Sequence, residues 1–453
     1  KNWTNITPPD LPESMIQSIE VSPHNAGTAY IAATRYKFND FAPLSYKTTD
    51  YGKTWTLINA GIDQDDFLKV IREDPKQAGL LYGGAERGFY VSFNGGSSWD
   101  RLQSNLPIVP VTDLIIRDND LVAATQGRAF WILDDLSALQ ESKGKSPEGL
   151  VDMVAPKETF RYTGFSSGGA GANPMAGVIL DFYIGDEIGE DEVRLDIMNE
   201  DGETIRSYSS IKDKKFKSYP GGPPAPTVLS AKKGFNRFAW DFRTETLPDV
   251  PNVFIYGSYR GHQVAPGKYT ARVSFKDQAK AVDIHIKADP RLEVKNENWK
   301  EQQEILDHTV KQISNIHAKV NSMRQLRDQI KAYNLLLGDN ANHEDLVKLG
   351  KELIEKIDKW ESQVVETRQK STQDVINWPS KLNAAYFYLR GRLDEHDPRV
   401  TQGVRSRLAD LDKEWATYQK ESASLLQNEV QAFNQLFKQK NIPALIIDNK
   451  VKP

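Results

Sequence analysis

The sequence contains no cysteine, and it has only 7 histidines and 5 methionines among its 453 residues. The absence of cysteine excludes disulfide bonds, cysteine-ligated zinc, iron–sulfur clusters and thiol nucleophiles. The histidines include no pair with the i,i+4 spacing of a zinc-binding helix. We therefore predict no metal site and no cofactor, and we assign no catalytic residue.

The sequence also lacks an excess of one charge and a long apolar run. Its 58 basic and 62 acidic residues give a formal net charge of −4. Nucleic-acid-binding domains are usually basic, so we expect no nucleic-acid partner. No apolar run reaches the ~18–20 residues of a membrane helix, so we expect no membrane span.

An internal repeat is the strongest positive feature. Residues 29–35 (AYIAATR), 81–87 (LYGGAER) and 121–128 (LVAATQGR) resemble one another. Each of the first two copies is followed by a short motif, which we call the box. At every second position it has a Ser or Thr, then an Asp or Asn, then a Gly, then another Ser or Thr, and a Trp follows directly. Its residues are Thr48, Asp50, Gly52, Thr54 and Trp55, and then Ser92, Asn94, Gly96, Ser98 and Trp99. In such a box the polar side chains hydrogen-bond the turn backbone, Gly permits an unusual φ, and Trp packs between sheets.

The repeat spacing predicts units of four short strands, as in the blades of a β-propeller. We assign residues 1–160 to such blades. Trp3 stands where the Trp of a box is expected, which indicates that the chain begins inside a blade. Since a closed propeller has ~4–8 blades, we expect this chain to be the C-terminal part of a larger protein. The expected partner is the set of remaining N-terminal blades, in the same protein or in a cleaved fragment.

The rest of the chain changes its pattern twice. Residues 161–177 read as a Gly-rich linker, and the alternating apolar residues of 178–290 predict an immunoglobulin- or fibronectin-like β-sandwich. A helical period over residues 296–440 predicts an antiparallel helical bundle, followed by a tail at 441–453. The predicted fold is therefore multidomain, mainly β and then α.

The repeats carry a family resemblance. The boxes resemble the Asp boxes of sialidases, xyloglucanases and sortilin-type propellers. Residues 120–135 (DLVAATQGRAFWILDD) resemble the closing blade of large bacterial sortilin-like proteins often labelled glycosyl hydrolase with BNR repeats, although Gln126 stands where that family usually has His. The resemblance implies an extracytoplasmic location, secreted, periplasmic or on the cell surface. It does not imply hydrolysis, because a fold does not determine a function.

The candidate ligand-binding residues follow the second strand of each unit. Arg35, Arg87 and Arg128 stand at equivalent positions there, where converging guanidinium groups could hold a carboxylate or sulfate. The alternative is that each Arg bonds neighbouring carbonyl or carboxylate groups. Glu86 could be an ion-pair partner or a general acid, and Tyr36, beside a long loop at 37–44, could contact a sugar or peptide.

Two functions remain open from the sequence. The first is binding of a protein, peptide or glycan, with the later domains serving assembly at a cell surface. The alternative is a glycoside hydrolase whose carboxylate pair lies on the propeller face, partly in the missing blades. We favour binding, because a helical bundle of domain size adds nothing obvious to hydrolysis.

Overall fold

A computed structural model describes residues 2–145, 147–162, 175–338 and 341–442. Eleven strands form three antiparallel sheets in the first part of the chain. The first sheet contains β1 (Met15–Val21), β2 (Ala29–Arg35), β3 (Asp40–Thr48) and β4 (Thr56–Leu57). The second contains β5 (Leu68–Glu73), β6 (Leu81–Ala85), β7 (Phe89–Ser92) and β8 (Asp100–Arg101). The third contains β9 (Val111–Arg117), β10 (Asp120–Thr125) and β11 (Phe130–Leu133), and a short helix α1 (Ser137–Ser142) follows it.

Each of these sheets is a meander, because its strands are hydrogen-bonded in the order in which they follow in the sequence. The three sheets stack face to face. One apolar cluster, which includes Tyr30, Ile71 and Trp99, lies between the first and second sheets. Another, which includes Val70, Tyr82 and Leu114, lies between the second and third. The second sheet is consequently buried on both faces.

The predicted boxes form tight turns between the third and fourth strands of the first two sheets. The Thr48 hydroxyl accepts a hydrogen bond from the Gly52 amide at 2.9 Å, and Asp50 Oδ1 accepts one from the Thr54 amide at 2.9 Å. The hydrogen bonds that Asp50 accepts from the Thr54 amide and the Thr54 hydroxyl lower the pKa of Asp50 to about 2. Gly52 has φ +82°, and a Cβ there would lie 2.7 Å from Cδ1 of Ile6, so both turn geometry and packing require glycine.

The second box repeats this geometry. The Ser92 hydroxyl accepts from the Gly96 amide at 2.9 Å, and Asn94 Oδ1 accepts from the Ser98 amide at 2.9 Å. Gly96 has φ +90°, and a Cβ there would lie 2.7 Å from Cδ1 of Ile58. The two boxes are thus the same structural device in successive sheets.

Two further sheets share one apolar core. The first has the strand order β12 (Val151–Met153), β14 (Val178–Ile184), β17 (Gly234–Trp240). The second has the order β13 (Thr159–Arg161), β19 (Gln278–Ala288), β18 (Gly267–Phe275), β15 (Val193–Met198), β16 (Thr204–Ser209). Strand β12 pairs with β14, and strand β13 pairs with β19. Both therefore belong to these two sheets, although the sequence predicts blades for residues 1–160. The pairing of β13 with β19 is parallel, and an immunoglobulin- or fibronectin-like class stays a prediction.

The C-terminal part is helical, as the sequence period predicts. It contains α2 (Asn296–Leu337), α3 (Glu344–Val364), α4 (Leu382–Leu393), α5 (Gln402–Ser424) and α6 (Gln431–Gln439), with a π-helical turn at Leu425–Val430 joining the last two. Their apolar stripes meet in one core that includes Leu306, Trp360 and Trp415. Most of the predicted linker (163–174) and nearly all of the predicted tail (443–453) lie outside the described residues.

A segment with little regular structure, residues 243–263, connects β17 to β18 and packs against the helices, and we call it the strap. Its apolar residues Leu247, Val250, Val253, Ile255 and Tyr259 belong to the helical core. Side chains of α2 and α4 donate hydrogen bonds to its backbone carbonyls, because extended backbone outside a sheet leaves these acceptors free. The donor–carbonyl pairs are Gln303–Gln263, His317–Pro248, Asn321–Asp249, Arg324–Pro251, Arg390–Ser258 and Arg390–Arg260.

Candidate binding surface

The three predicted arginines lie in equivalent turns but have different partners. Arg35 Nε donates to Asp40 Oδ2 at 2.8 Å, and its Nη1 donates to the Glu13 carbonyl at 2.6 Å. Arg87 donates to Asp65. Arg128 is exposed, and its guanidinium contacts no acceptor in the described part of the chain. Arg35 and Arg87 therefore bond neighbouring carboxylate or carbonyl groups, which was the alternative to ligand binding. Of the three arginines, Arg128 is the one whose guanidinium is available to a ligand.

Glu86 and Tyr36 lie near each other where the first two sheets meet. Glu86 Oε2 forms an ion pair with Lys69 Nζ at 2.7 Å, so its partner is not the adjacent Arg87. The Tyr36 ring stacks on the buried Phe67 ring at 6.0 Å between centroids, and Phe41 stacks on the same ring at 6.4 Å. This gives an aromatic surface of two half-exposed rings beside an ion pair.

A close pair of carboxylates, which the sequence did not single out, lies beside these turns. The Tyr90 hydroxyl is 3.0 Å from Asp66 Oδ2 and 3.2 Å from Asp63 Oδ2. Asp66 is completely buried, and its Oδ1 accepts from the Arg87 amide at 2.8 Å. Burial raises the pKa of Asp66. Because both oxygens of Asp66 are occupied and inaccessible, this carboxyl holds the turn at Arg87 and cannot approach a substrate.

Arg72 links all three stacked sheets through their first strands. Its Nη1 is 3.4 Å from Glu20 Oε2 of the first sheet. Its Nη2 is 2.8 Å from Asp113 Oδ1 of the third, and its Nε donates to the Leu114 carbonyl at 2.8 Å. Desolvation raises the pKa of Glu20. The contact fixes the three sheets relative to one another, and no motif in the sequence announces it.

The clearest feature of the surface is a change of burial between equivalent residues on the side that faces the next sheet. Strand β7 of the second sheet and strand β11 of the third have the same register with their neighbours. Phe89 and Val91 are 4% and 3% exposed because the third sheet covers them. Their equivalents Phe130 and Ile132 are 75% and 58% exposed. The third sheet therefore presents an apolar face of the kind that the second sheet buries.

The other end of the stack shows the same change. Ile71 of β5 is completely buried between the first two sheets, whereas its equivalent in β1, Ile19, is 66% exposed. Val21, two residues further on the same face of β1, is also exposed. Isolated apolar residues on a surface are common, but these two sets occupy the positions that sheet packing fills inside the stack.

The tryptophans of the repeat extend this comparison. Trp99 is 2% exposed between the first two sheets, and its Nε1 donates to the Ile58 carbonyl at 2.8 Å. Trp55 Nε1 donates to the Ile6 carbonyl at 2.7 Å in the same way. Residues 3–6 thus stand where residues 55–58 stand one sheet later, in the position of a fourth strand and the residue after it. Trp3 is nevertheless 95% exposed, and residues 3–5 pair with no strand in the described part of the chain.

Strand β11 is the complementary feature. The first two sheets have four strands, and the third has three, so β11 is an edge where the others have a paired strand. A groove beside it, between the second and third sheets, is lined by Phe89, Leu102, Leu106, Leu121, Trp131 and Leu133. An edge strand offers free backbone donors and acceptors to an added strand.

The described ranges contain no group of three or more His, Asp or Glu side chains that could hold a metal ion. None of their helices combines the length and the apolar character that crossing a membrane requires.

Comparisons with known proteins do not assign a family. No family model matches this chain, and no curated protein matches it. The similar solved structures include YCF48 bound to D1 peptide, 17% identical over 28% of this chain and 38% of that one, with a TM-score of 0.22. They also include the GH74 enzyme of Niastella koreensis (14% identical, 37% of this chain, 28% of that one, TM-score 0.23) and the GH74 xyloglucanase of Xanthomonas campestris (15%, 59%, 36%, TM-score 0.23). The chain thus spans 28–38% of the length of these structures. At these TM-scores the likeness carries neither a family nor a function.

Proposed function

We propose that this chain belongs to a propeller-type protein that acts by binding and assembly, and that further sheets of the same repeat cover both ends of its three-sheet stack. The observation that carries this proposal is the change from 4% to 75% exposure between the equivalent residues Phe89 and Phe130. The second sheet buries this face against the third sheet, whereas the third sheet exposes the equivalent face. A further sheet of the same repeat would cover it in the same way. In the sequence-based expectation these further sheets are the remaining N-terminal blades.

The surface formed by the turns that carry Tyr36, Phe41 and Arg128 suits a protein or peptide ligand better than the substrate of a hydrolase. The half-exposed rings of Tyr36 and Phe41 and the uncommitted guanidinium of Arg128 offer apolar contact and charge. The carboxylate pair Asp63–Asp66 supports no catalytic role, because Asp66 is buried with both oxygens bonded. An extracytoplasmic location is part of the proposal and rests on the sequence resemblance.

Photo-crosslinking tests whether further sheets cover the face of the third sheet that carries Phe130 and Ile132. A benzoylphenylalanine at position 130, in the protein as its cells produce it, is expected to crosslink to a polypeptide segment of the same repeat, recognisable by a box like that of Thr48 to Trp55. The same probe at Ile376, which is 77% exposed on the helical part, serves as the control and is expected to give no specific product. Equal crosslinking at the two positions would overturn the proposal. Turnover of a polysaccharide or aryl glycoside that is lost in Asp63→Asn would support the hydrolase instead.

A further inference from the structure

We infer that a cavity beside the strap binds inorganic phosphate. The cavity has a volume of about 120 Å³, and its lining residues lie outside the three stacked sheets. Strand β16, the strap and the segment just before Val228, which bridges Ser209 at the edge of β16, form most of its wall. The charged residues of this wall are three arginines and one aspartate: Arg206, Arg243, Arg260 and Asp241. The wall therefore carries an excess of positive charge, although the whole chain has a formal net charge of −4.

The strap holds the Arg206 side chain in one position. Its Nη1 donates to the Thr244 carbonyl at 3.3 Å and to the Thr246 hydroxyl at 3.2 Å. The same nitrogen lies 3.2 Å from Glu245 Oε2. The guanidinium carbon is 4.8 Å from the centroid of the Tyr208 ring, and the side chain is 13% exposed. A ligand that meets this guanidinium does not have to order a mobile side chain, which lowers the free-energy cost of binding.

Arg243 is fixed in a similar way at the start of the strap. Its Nη1 donates to the Gly261 carbonyl and to Asp394 Oδ2, both at 2.7 Å. Its Nε and Nη2 donate to no acceptor among the described residues, so this guanidinium retains free donors. The carboxylates that balance the two fixed arginines, Asp394 and Glu245, are not among the residues that line the cavity. The positive charge is therefore not cancelled within the cavity itself, and a partly buried anion there would be attracted.

Arg260 adds a third, uncommitted guanidinium to the cavity. Its residue is exposed, and its side chain has no acceptor in the part of the chain that the structure describes. The planar N–H fork of arginine matches two oxygens of a phosphate at once. Hydroxyl groups complete the set of donors: Thr227 lines the cavity, and Thr246 accepts from Arg206 and so keeps its own proton for a ligand. The cavity thus offers guanidinium and hydroxyl donors, as an oxyanion requires.

Asp241 decides which oxyanion the cavity accepts. Its side chain lines the cavity and has no hydrogen-bond donor among the described residues. A carboxylate accepts hydrogen bonds and repels an anion that has no proton to donate. At neutral pH inorganic phosphate keeps at least one P–O–H proton, whereas sulfate keeps none. Phosphate can therefore donate to Asp241 while it accepts from the arginines, and sulfate cannot.

Isothermal titration calorimetry of the full chain with sodium phosphate tests the site. We expect one phosphate per chain with a dissociation constant of about 0.1–1 mM, which is within the affinity limit for a ligand of so few atoms. Sodium sulfate should bind about 10-fold more weakly or less, because one charge-assisted hydrogen bond is replaced by repulsion from Asp241. No binding of phosphate in the millimolar range, or equal affinities for the two anions, would overturn the inference.

Arg260→Ala removes an exposed side chain that has no partner among the described residues, so the fold should keep its stability. We expect the dissociation constant for phosphate to rise about 10-fold, the effect of losing one or two charge-assisted hydrogen bonds. Arg260→Lys keeps the charge without the planar fork and should cost about 3-fold. Arg407→Ala, at an arginine of α5 that is also exposed and without a partner in the described ranges, is the matched control. Equal affinities of the Arg260→Ala and Arg407→Ala variants would contradict the placement of the site.

Two further measurements test the role of Asp241 and the position of the ion. The amide of Asp241→Asn can donate to sulfate, so we expect sulfate to bind this variant more tightly and the preference for phosphate to fall to about 2-fold or less. A phosphate held by Arg206 and Arg260 would link β16 to the strap, so it should slow tryptic cleavage after Arg260, whereas sulfate at the same ionic strength should not. An unchanged preference in Asp241→Asn, or cleavage that phosphate does not slow, would count against the site.

Discussion

Replacing Trp99 by alanine is expected to lower the free energy of unfolding of the first two sheets by about 3–5 kcal/mol, the range for large aromatic residues in protein cores. The indole is 2% exposed between these sheets, so its loss leaves a cavity that the neighbouring strands cannot close. It also leaves the Ile58 carbonyl without its donor. Because the chain has several cores and will not unfold in one step, the measurement is native-state hydrogen exchange of β6 and β7 amides.

The equivalent tryptophans provide the controls. Trp3→Ala should change the same exchange free energies by less than about 0.5 kcal/mol, as is usual for an exposed residue. Trp55→Ala should lie between the two, because Trp55 is half-buried and bonds the Ile6 carbonyl. Equal losses for all three variants would contradict the graded burial on which the repeat comparison rests.

Replacing Asp394 by alanine is expected to weaken the attachment of the strap to the helices by about 3–5 kcal/mol, the usual consequence of removing one partner of a buried ion pair. Asp394 follows α4 and is almost buried. Its Oδ2 accepts from Arg243 Nη1 at 2.7 Å, and its Oδ1 accepts from the Gln263 amide at 2.8 Å. Its removal would leave the Arg243 charge and the Gln263 amide without these acceptors. Limited proteolysis within 243–263 reports the effect.

Asp394→Asn separates charge from shape at this position. The amide keeps one acceptor oxygen for the Gln263 backbone but no longer neutralises Arg243, so we expect a smaller loss, about 1–3 kcal/mol. Protection of the strap from proteolysis should follow the order wild type, Asn variant, Ala variant. Wild-type protection in the alanine variant would show that the apolar contacts of Leu247 to Tyr259 hold the strap without the ion pair.

The repeats and the helices were predictable because their signals are local. The alternating box positions fix the turns at Gly52 and Gly96 through hydrogen bonds within five residues. The helical period likewise places Leu306 and Trp360 in one core, since residues three and four apart share a helix face.

The long-range contacts were not predictable in this way. Arg72 joins partners 52 and 41 residues away, and nothing in its neighbourhood distinguishes it from a surface arginine. The strap shows no helical or strand period in its sequence. Side chains of α2 and α4, which are distant in the sequence, satisfy its carbonyls, so no local pattern indicates its position. The candidate arginines show a further limit. The repeat correctly placed Arg35, Arg87 and Arg128 in similar turns. It did not indicate that Asp40 and Asp65 lie close enough in space to bind the first two, which leaves Arg128 without such a partner in the described part of the chain.

The alkylation rate of a single thiol at position 130 tests the central claim most directly. The chain has no cysteine, so Phe130→Cys and the control Ile376→Cys each carry one thiol. If the end face of the third sheet, which carries Phe130, is covered by further sheets, alkylation at position 130 of the native protein is slower than at position 376 and reaches the same rate once the protein is unfolded. Equally fast alkylation of the two positions in the native protein would contradict the account.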